Sequence, residues 1–272
     1  MTPEEAIQQV RKNFPFEGYM NPAEGAYLNI ARTVLRWLKA PASILDFGAG
    51  PCDKTAILSV LGFECSACDD LKDHWHMITG NREKIQSFAH NFNIRYCVID
   101  DETNLPFEKG EFDMLMMHDV LEHLHDSPRD LVNDLLKFVK ARGLFFVTVP
   151  NAVHLMKRAQ AVFGRTNLPT FDSYYWYPGP WRGHIREYVR DDLIKLAEYL
   201  SLDILELRSC NHMLDAVPVF LRPVWVGLTS ILTGGRDSWL LVAKKKPGWA
   251  PKKFLSQDEF LPILGRYTSY QY

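Results

Sequence analysis

The sequence predicts an α/β fold: a doubly wound, mostly parallel sheet with helices on both faces. Three observations predict it. Short apolar runs alternate with segments of helical periodicity between residues 42 and 149. The runs are apolar almost continuously, as strands covered on both faces are, where a half-exposed strand would alternate. Acidic or polar residues close several of the runs, at the strand ends where such sheets bind their ligands.

Residues 22–39 read as a helix, because Ala26, Ile30, Val34, Leu35 and Leu38 fall at helical spacing. Before it, Phe14, Phe16 and Tyr19 form an aromatic, loop-like stretch able to cover a pocket. A first strand occupies 42–47, and a helix runs from Lys54 to Leu61. Phe63 to Cys68 is a second strand, ending at Asp69-Asp70. Asn81 to Asn91 reads as helix, Ile94 to Ile99 as a third strand and Phe112 to His118 as a fourth. From Leu121 the chain looks helical, with Leu131, Leu135 and Val139 on one face. Gly143 opens a fifth strand, Leu144 to Val149, which stops at Pro150. A helix resumes near Asp191-Asp192 and runs to Leu200, and strands follow around 203–209 and 238–244.

These elements divide the chain into an N-terminal helical cap (1–40), a ligand-binding core (41–150), an insertion (151–190), a further core helix with C-terminal strands (191–246) and a tail (247–272). The insertion carries Tyr174, Tyr175, Trp176, Tyr177 and Trp181 among prolines and glycines. Connections in α/β units usually take about 2–6 residues, and long ones are often functional lids. The expectation is therefore an aromatic lid that shapes a substrate site. Lys244 to Lys246 read as a solvated strand end.

With 272 residues, 47% hydrophobic and 24% charged residues, the chain has the composition of an ordinary globular protein. Its net charge of -2 offers no general attraction to nucleic acid or anionic lipid. Five cysteines make no disulfide framework and suggest a reducing, cytoplasmic compartment. Cys65 and Cys68 are spaced C-x-x-C but sit in a strand, where residues three apart point to opposite faces. The start, Met1-Thr2-Pro3-Glu4-Glu5, has neither the basic residues nor the apolar run of a signal peptide. The most apolar later stretch, Val217 to Thr233, is interrupted by Pro218, Arg222 and Pro223. It falls short of the ~20 apolar residues of a spanning helix, so no stable membrane insertion is expected. A buried or substrate-covering helix is the favoured reading of it, and a lipid-contacting surface the alternative.

The most informative run is Ile44-Leu45-Asp46-Phe47-Gly48-Ala49-Gly50-Pro51. Glycines beyond a buried strand let the main chain pass close to a ligand. A pyrophosphate loop would carry a third glycine where this chain has Asp53, so the dinucleotide pattern fails. A carboxylate beside the turn suits a cationic, hydroxyl-rich ligand, and S-adenosylmethionine is one. Asp69 lies 23 residues after Asp46, near the roughly 20-residue separation of ribose-binding acids in nucleotide folds. Charge-assisted bonds of that kind contribute about 1.5–3 kcal/mol each. Asp70 is the rival candidate. Asp101-Glu102 could accept from an adenine amino group, with Leu105-Pro106-Phe107 as apolar walls. His118, Asp119 and Asn151 also fall at strand ends.

Together these residues resemble the class I S-adenosylmethionine-dependent methyltransferases over about residues 40–150. Leu45 to Gly50 is similar to that family's glycine-rich first motif, and Cys68-Asp69-Asp70 to its acidic second-strand end. Asp101 to Phe107 resembles the adenine-contacting segment. Phe112-Asp113-Met114 through Asp119-Val120-Leu121-Glu122-His123 resembles the fourth strand and the helix after it. The resemblance implies a Rossmann-like sheet of seven strands, the last antiparallel. It implies S-adenosylmethionine as cofactor, held by Asp46, Gly48, Gly50, Asp69 or Asp70, Asp101, Glu102 and His118. The motif after the fourth strand, His118-Asp119-Val120-Leu121, is neither the Asn/Asp-Pro-Pro-Tyr of amine-modifying nucleic-acid enzymes nor the Pro-Cys of pyrimidine C5 enzymes. The expected partner is a small-molecule or glycan-type acceptor, not nucleic acid.

Gly183-His184-Ile185-Arg186-Glu187-Tyr188, followed by Asp191-Asp192-Leu193, resembles a feature of related bacterial methyltransferases, many associated with glycans or other secondary metabolites, and it sets an imidazole just after the aromatic insertion. Methyl transfer depends mainly on aligning the nucleophile, an effect of up to about 7–11 kcal/mol. A hydroxyl acceptor also gains about 10²–10⁴-fold from proton removal. The ordinary imidazole pKa suits His184 to that task, with His123, His118 and His125 as rival bases, His118 being also a candidate to line the cofactor pocket. Tyr175, Trp176 and Trp181 could stack on a ring, and Arg182 and Arg186 could hold an anionic group. His118, Glu122 and His123 do not form the H-E-x-x-H pattern, so no metal is expected. Oxygen is the expected target atom. A lipid- or quinone-directed enzyme and a non-catalytic cofactor-binding protein are the alternatives, and the sequence leaves the oligomeric state open.

Overall fold

The computed structural model describes residues 1–21, 24–99, 105–165, 168–212, 214, 217–232 and 234–268. Its centre is a seven-stranded sheet: β1 (Ser43–Phe47), β2 (Glu64–Asp69), β3 (Arg95–Val98), β4 (Phe112–His118), β5 (Val139–Pro150), β6 (Leu202–Cys210) and β7 (Ser238–Lys245). The order across it is β3-β2-β1-β4-β5-β7-β6, with β1 to β5 parallel and β7 antiparallel to both its neighbours. This is the Rossmann-like α/β architecture that the sequence predicts.

The strands are apolar without interruption because alternate residues feed two separate cores. Ile44, Met114, Met116, Phe146 and Val242 face one layer with Ile30, Ile57 and Phe88. Leu45, Leu115, Met117, Phe145 and Leu241 face the other with Val132, Leu135 and Leu193. The first layer is built by α1 (Pro3–Asn13), α2 (Glu24–Trp37), α3 (Asp53–Val60) and α4 (Asn81–Asn91). The second is built by α5 (Pro128–Leu136) and α8 (Arg190–Tyr199). Each large apolar side chain fully buried in these layers contributes about 1.5–3 kcal/mol. Cys65 and Cys68 enter opposite layers, as strand geometry requires.

Helix starts follow local chemistry. Thr2 and Glu5 form a reciprocal capping box ahead of Pro3 and so begin α1. Ser127 accepts from the Arg129 N–H and Pro128 takes the first helical position, so α5 begins there, seven residues after the start expected at Leu121. Leu121–His123 form only a 3₁₀ turn. Val139, expected on the same helix as Leu131 and Leu135, belongs to β5 instead. It opposes Phe112, and an irregular register at Phe112/Met114 accommodates the exposed Lys140–Arg142 before the strand resumes. Its i, i+4 spacing survives because it packs into the same core layer from a different element.

The insertion folds as α6 (Leu155–Val162) and α7 (Phe171–Tyr175). Asn151 anchors its root: the buried amide donates to the carbonyls of Gly234 and Arg236, both at 2.7 Å. Two expectations fail. The helix α9 (Arg222–Ile231) and the turn Val219–Leu221 are not buried: Phe220 and Ile231 are 80% and 82% exposed, and Thr229 is the buried residue of α9. Lys245 is not solvated, because β7 lies inside the sheet. Its Nζ donates to the carbonyls of Leu136 (2.9 Å) and Val139 (2.8 Å) and lies over the Trp249 ring. A last helix, α10 (Gln257–Thr268), ends the described chain. Among the described residues, no helix is long and apolar enough to cross a membrane.

Candidate active site

The strand order reverses between β1 and β4, and a cleft of about 570 Å³ opens beyond their carboxyl ends. That is where doubly wound sheets bind ligands. Phe47 to Pro51 and Val120 form its floor, Asp69, Asp70, Asp73, Trp75 and His76 one wall, and His118, Asp119, His123 and Leu124 the other. Trp181 and Arg182 reach in from the insertion, and Tyr19 from the N-terminal segment.

The glycine turn is held from β2. Gly48 and Ala49 donate to the Cys68 carbonyl at 2.8 and 3.2 Å, and Gly50 N–H donates to Asp69 Oδ2 at 2.8 Å. The other Asp69 oxygen accepts from Leu71 N–H at 2.7 Å. Burial raises the Asp69 pKa above the ordinary range, while these two N–H groups oppose that rise. Gly48 is required twice over. Its φ is +73°, and a Cβ there would stand 2.5 Å from Val120 Cγ2.

Asp46 occupies a different place from the one expected. It is buried beneath the turn, does not line the cleft, and accepts from Thr55 Oγ1 at 2.6 Å. Burial pushes its pKa up to about 7, so it is not a fixed anion for recognising a cation. His118 lines the cleft. Its Nδ1 meets Thr148 Oγ1 at 3.1 Å, and burial holds its pKa well below the ordinary range. Asp101 and Glu102 lie outside the described residues. Leu105 and Phe107 join the core under β4 and do not line the cleft.

The insertion meets the cleft through a short strap. Arg182 pairs with Asp70 at 2.9 and 3.1 Å and with Asp73, so its charge is already used in clamping the strap to the loop after β2. The Trp181 indole lies where a Gly183 Cβ would be. His123 Nδ1 donates to the Arg182 carbonyl at 2.7 Å, and the His123 and His184 rings meet edge to face at 4.9 Å. His184 Nδ1 pairs with Glu187 at 2.8 Å. Burial works against the Glu187 carboxylate, but bonds from His184 and Lys157 outweigh it and keep its pKa below the usual range. Tyr175 and Trp176 meet edge to face in solvent and do not line the cleft. Arg186 is also exposed and reaches Asp192.

Several residues in or beside the cleft escaped the sequence reading. Lys54 pairs with Asp119 at 2.9 Å; burial disfavours its charge, yet Asp119 and Asp53 outweigh that. Tyr27 donates to the buried Asp53. Trp75 and His76 form a wall, with Tyr19 and Phe16 packed against Trp75. Glu122 is fully buried, with no partner for either carboxylate oxygen, and burial pushes its pKa up to about 9. A helix-forming stretch with an acid in it gave no sign of that. Trp75-His76 after an acidic strand end was the one available signal.

Residues 23–207 match the family model described as a methyltransferase domain. The chain belongs to that methyltransferase family. Solved structures agree at the level of the fold. A Burkholderia thailandensis 1,6-didemethyltoxoflavin-N1-methyltransferase, solved with bound 1,6-didemethyltoxoflavin and S-adenosylhomocysteine, superposes with a TM-score of 0.52 at 16% identity, covering 90% of this chain and 91% of its own. A Methanosarcina mazei S-adenosylmethionine-dependent methyltransferase gives 0.53 at 11% identity over 79% and 97%. The SpnF cyclase gives 0.53 at 14% identity over 82% of each chain. No curated protein matches the sequence.

The methyltransferase cofactor is S-adenosylmethionine, and the cleft fits it. At Gly50 a Cβ would meet nothing nearer than His76 Nε2 at 4.0 Å, so the turn is open there, and a carboxylate stands at the β2 end. Six aspartates and two basic side chains line the cleft, an excess of negative charge suited to a sulfonium and an ammonium.

Proposed function

We propose that this methyltransferase transfers a methyl group to an oxygen of a small-molecule or glycan-type acceptor. The observation that carries the reading is the meeting of His123, His184 and Glu122 at the cleft edge, where the insertion's strap closes over it. S-adenosylmethionine supplies, when bound, an electrophilic methyl group on a sulfonium. Gly48 and Gly50 admit it, Asp69 accepts from its ribose, and His118 lines its pocket. Asp46 supports the turn from below through Thr55. The imidazole cluster lies where it can relieve an acceptor hydroxyl of its proton as the oxygen–carbon bond forms and the carbon–sulfur bond breaks. Trp181 shapes the acceptor side. Five free thiols support a reducing, cytoplasmic setting.

The small-molecule part of the reading draws support from the toxoflavin enzyme, whose acceptor is a small heterocycle. Titration calorimetry with S-adenosylhomocysteine on cofactor-free protein, followed by an acceptor screen that reads its release, tests the proposal. Absence of binding would sink it. Binding without turnover over a broad acceptor panel would favour a non-methylating role, a use of the fold consistent with the cyclase likeness.

A second reading, a lipid- or quinone-directed enzyme, is favoured by the exposed apolar side chains of Val219, Phe220, Val224 and Ile231. Co-sedimentation with liposomes separates the two, since a wholly unbound protein counts against it.

A further inference from the structure

We infer that Glu122, His123 and His184 form a binding site for one divalent metal ion of the zinc, iron(II) or manganese(II) class. Among the described residues they are the one group of this kind whose ligand atoms all lie within 4.8 Å of one another. Two imidazoles and one carboxylate are the donors such borderline cations take, and three protein ligands leave positions open for water or substrate.

The surroundings of each donor point to a ligand. Glu122 is fully buried and neither of its oxygens accepts a hydrogen bond, even though two imidazoles stand beside it. A buried carboxylate is normally paired, hydrogen-bonded or coordinated to a metal. Each histidine is oriented through Nδ1. The partner of His123 is a backbone carbonyl, which can only accept, so Nδ1 carries the proton and Nε2 keeps its lone pair. The partner of His184 is the Glu187 carboxylate, itself paired with Lys157, which directs Nε2 inward in the same way. A carbonyl or carboxylate behind the ring is the usual support of a metal-ligating histidine. The two chain segments are also tied together, because the Glu122 carbonyl accepts from Ile185 N–H at 2.6 Å. Zinc–nitrogen bonds of about 2.0–2.1 Å place tetrahedral ligands roughly 3.3 Å apart, so small side-chain movements complete the site on loading.

The ion sits beside the donor cleft, since His123 lines it. One carboxylate and two neutral imidazoles leave a divalent ion with net positive charge, which recruits an acceptor oxygen and makes its hydroxyl more acidic. Both Nε2 lone pairs are then used in coordination, so in the metal-loaded protein the ion takes over the part given above to the imidazoles as base. The hydroxyl proton passes to water, the oxygen–carbon bond forms and the carbon–sulfur bond breaks. That acceptor role rests on the function proposed above; metal binding does not.

The test uses full-length protein freed of metal by a chelator and titrated with Co²⁺, read by its visible absorption and by elemental analysis. One Co²⁺ per chain, displaced by Zn²⁺, is expected, with the absorption lost in both Glu122→Gln and His184→Ala. Glu187→Gln, which alters a positioning residue, should weaken binding by about 10–100-fold and shift the spectrum. Unfolding midpoints measured in chelator show whether each variant folds, and the half-buried His184 provides the decisive variant should Glu122→Gln not fold. Absence of saturable Co²⁺ binding, or binding unchanged in His184→Ala, overturns the site. S-adenosylhomocysteine calorimetry on the wild-type protein keeps the two proposals apart: no Co²⁺ binding beside intact nucleoside binding overturns the metal site alone, and Co²⁺ binding without nucleoside binding overturns the methyl-transfer reading alone.

Discussion

Removing the Asp69 carboxylate gives the sharpest test of the donor site. Its two oxygens already accept from Gly50 N–H at 2.8 Å and Leu71 N–H at 2.7 Å, and each retains a further lone pair toward the cleft. A charge-assisted bond to a ribose hydroxyl contributes about 1.5–3 kcal/mol. At 1.4 kcal/mol per decade, Asp69→Ala should weaken S-adenosylhomocysteine by roughly 10–150-fold for one such bond. Asp69→Asn should do nearly as much harm. Both oxygens face N–H donors, so the amide group would set a donor against a donor whichever way it turned. Calorimetry gives the dissociation constants, and the unfolding midpoint of each variant shows whether the turn survives. Burial raises the Asp69 pKa, so wild-type affinity should fall on acidification sooner than an exposed aspartate would cause. The Asn variant should lack that dependence. An unchanged dissociation constant in Asp69→Ala would refute the assignment and pass the ribose role to Asp70. That outcome would be surprising, because Asp70 is engaged with Arg182 and Lys72 N–H.

Gly48→Ala should abolish nucleoside binding in calorimetry. The positive φ costs roughly 1–2 kcal/mol and the new methyl collides with Val120, so adding Val120→Ala should restore binding only in part. Asp46 predicts a pH effect on stability. Its folded pKa of about 7 stands above the ordinary 3.8, so the native state holds the extra proton. That contribution is present below pH ~4 and lost as pH rises to ~7, up to about 4 kcal/mol. Urea midpoints at both ends of this window should converge in Asp46→Asn, and an unchanged pH slope would count against the buried acid. Lys245→Met leaves two buried carbonyls without their donor, about 2–4 kcal/mol in sum. The thermal midpoint should drop by roughly 4–16 °C, and no drop would mean that other donors replace it.

Where local signals were unambiguous, the sequence reading matched the structure to the residue, as with α4 at Asn81–Asn91 and β4 at Phe112–His118. Breakers bound both segments, and their apolar residues serve one element only. The reading slipped where spacing is shared between elements. Val139 kept the period of the preceding helix while belonging to β5, and the Ser127-Pro128 start signal outweighed the apolar Leu121. Residues 217–232 are apolar yet, Thr229 apart, largely exposed, because apolar composition does not reveal whether anything packs on a surface. At the site, the strand-end acid Asp69 was legible because topology alone gathers strand ends. The clamp of Arg182 on Asp70 and Asp73 joins residues more than 100 positions apart through two loops, and no local pattern encodes it.

The charges of the cleft connect its two halves. Beside its histidines, the cleft sets Asp53, Asp69, Asp70, Asp73, Asp119 and Asp126 against one lysine and one arginine, Lys54 and Arg182, both already paired with acids. Such a field favours a cationic methyl donor, but it opposes the negative charge that an acceptor hydroxyl develops as it loses its proton. A neutral imidazole offsets that opposition only by taking up the proton itself. A divalent ion between His123, His184 and the unpaired Glu122 would offset it at the point where the acceptor oxygen must approach. The feature that attracts the donor thereby gives a counter-charge on the acceptor side a purpose, and the buried Glu122, whose carboxylate oxygens accept no hydrogen bond, is the group able to hold it.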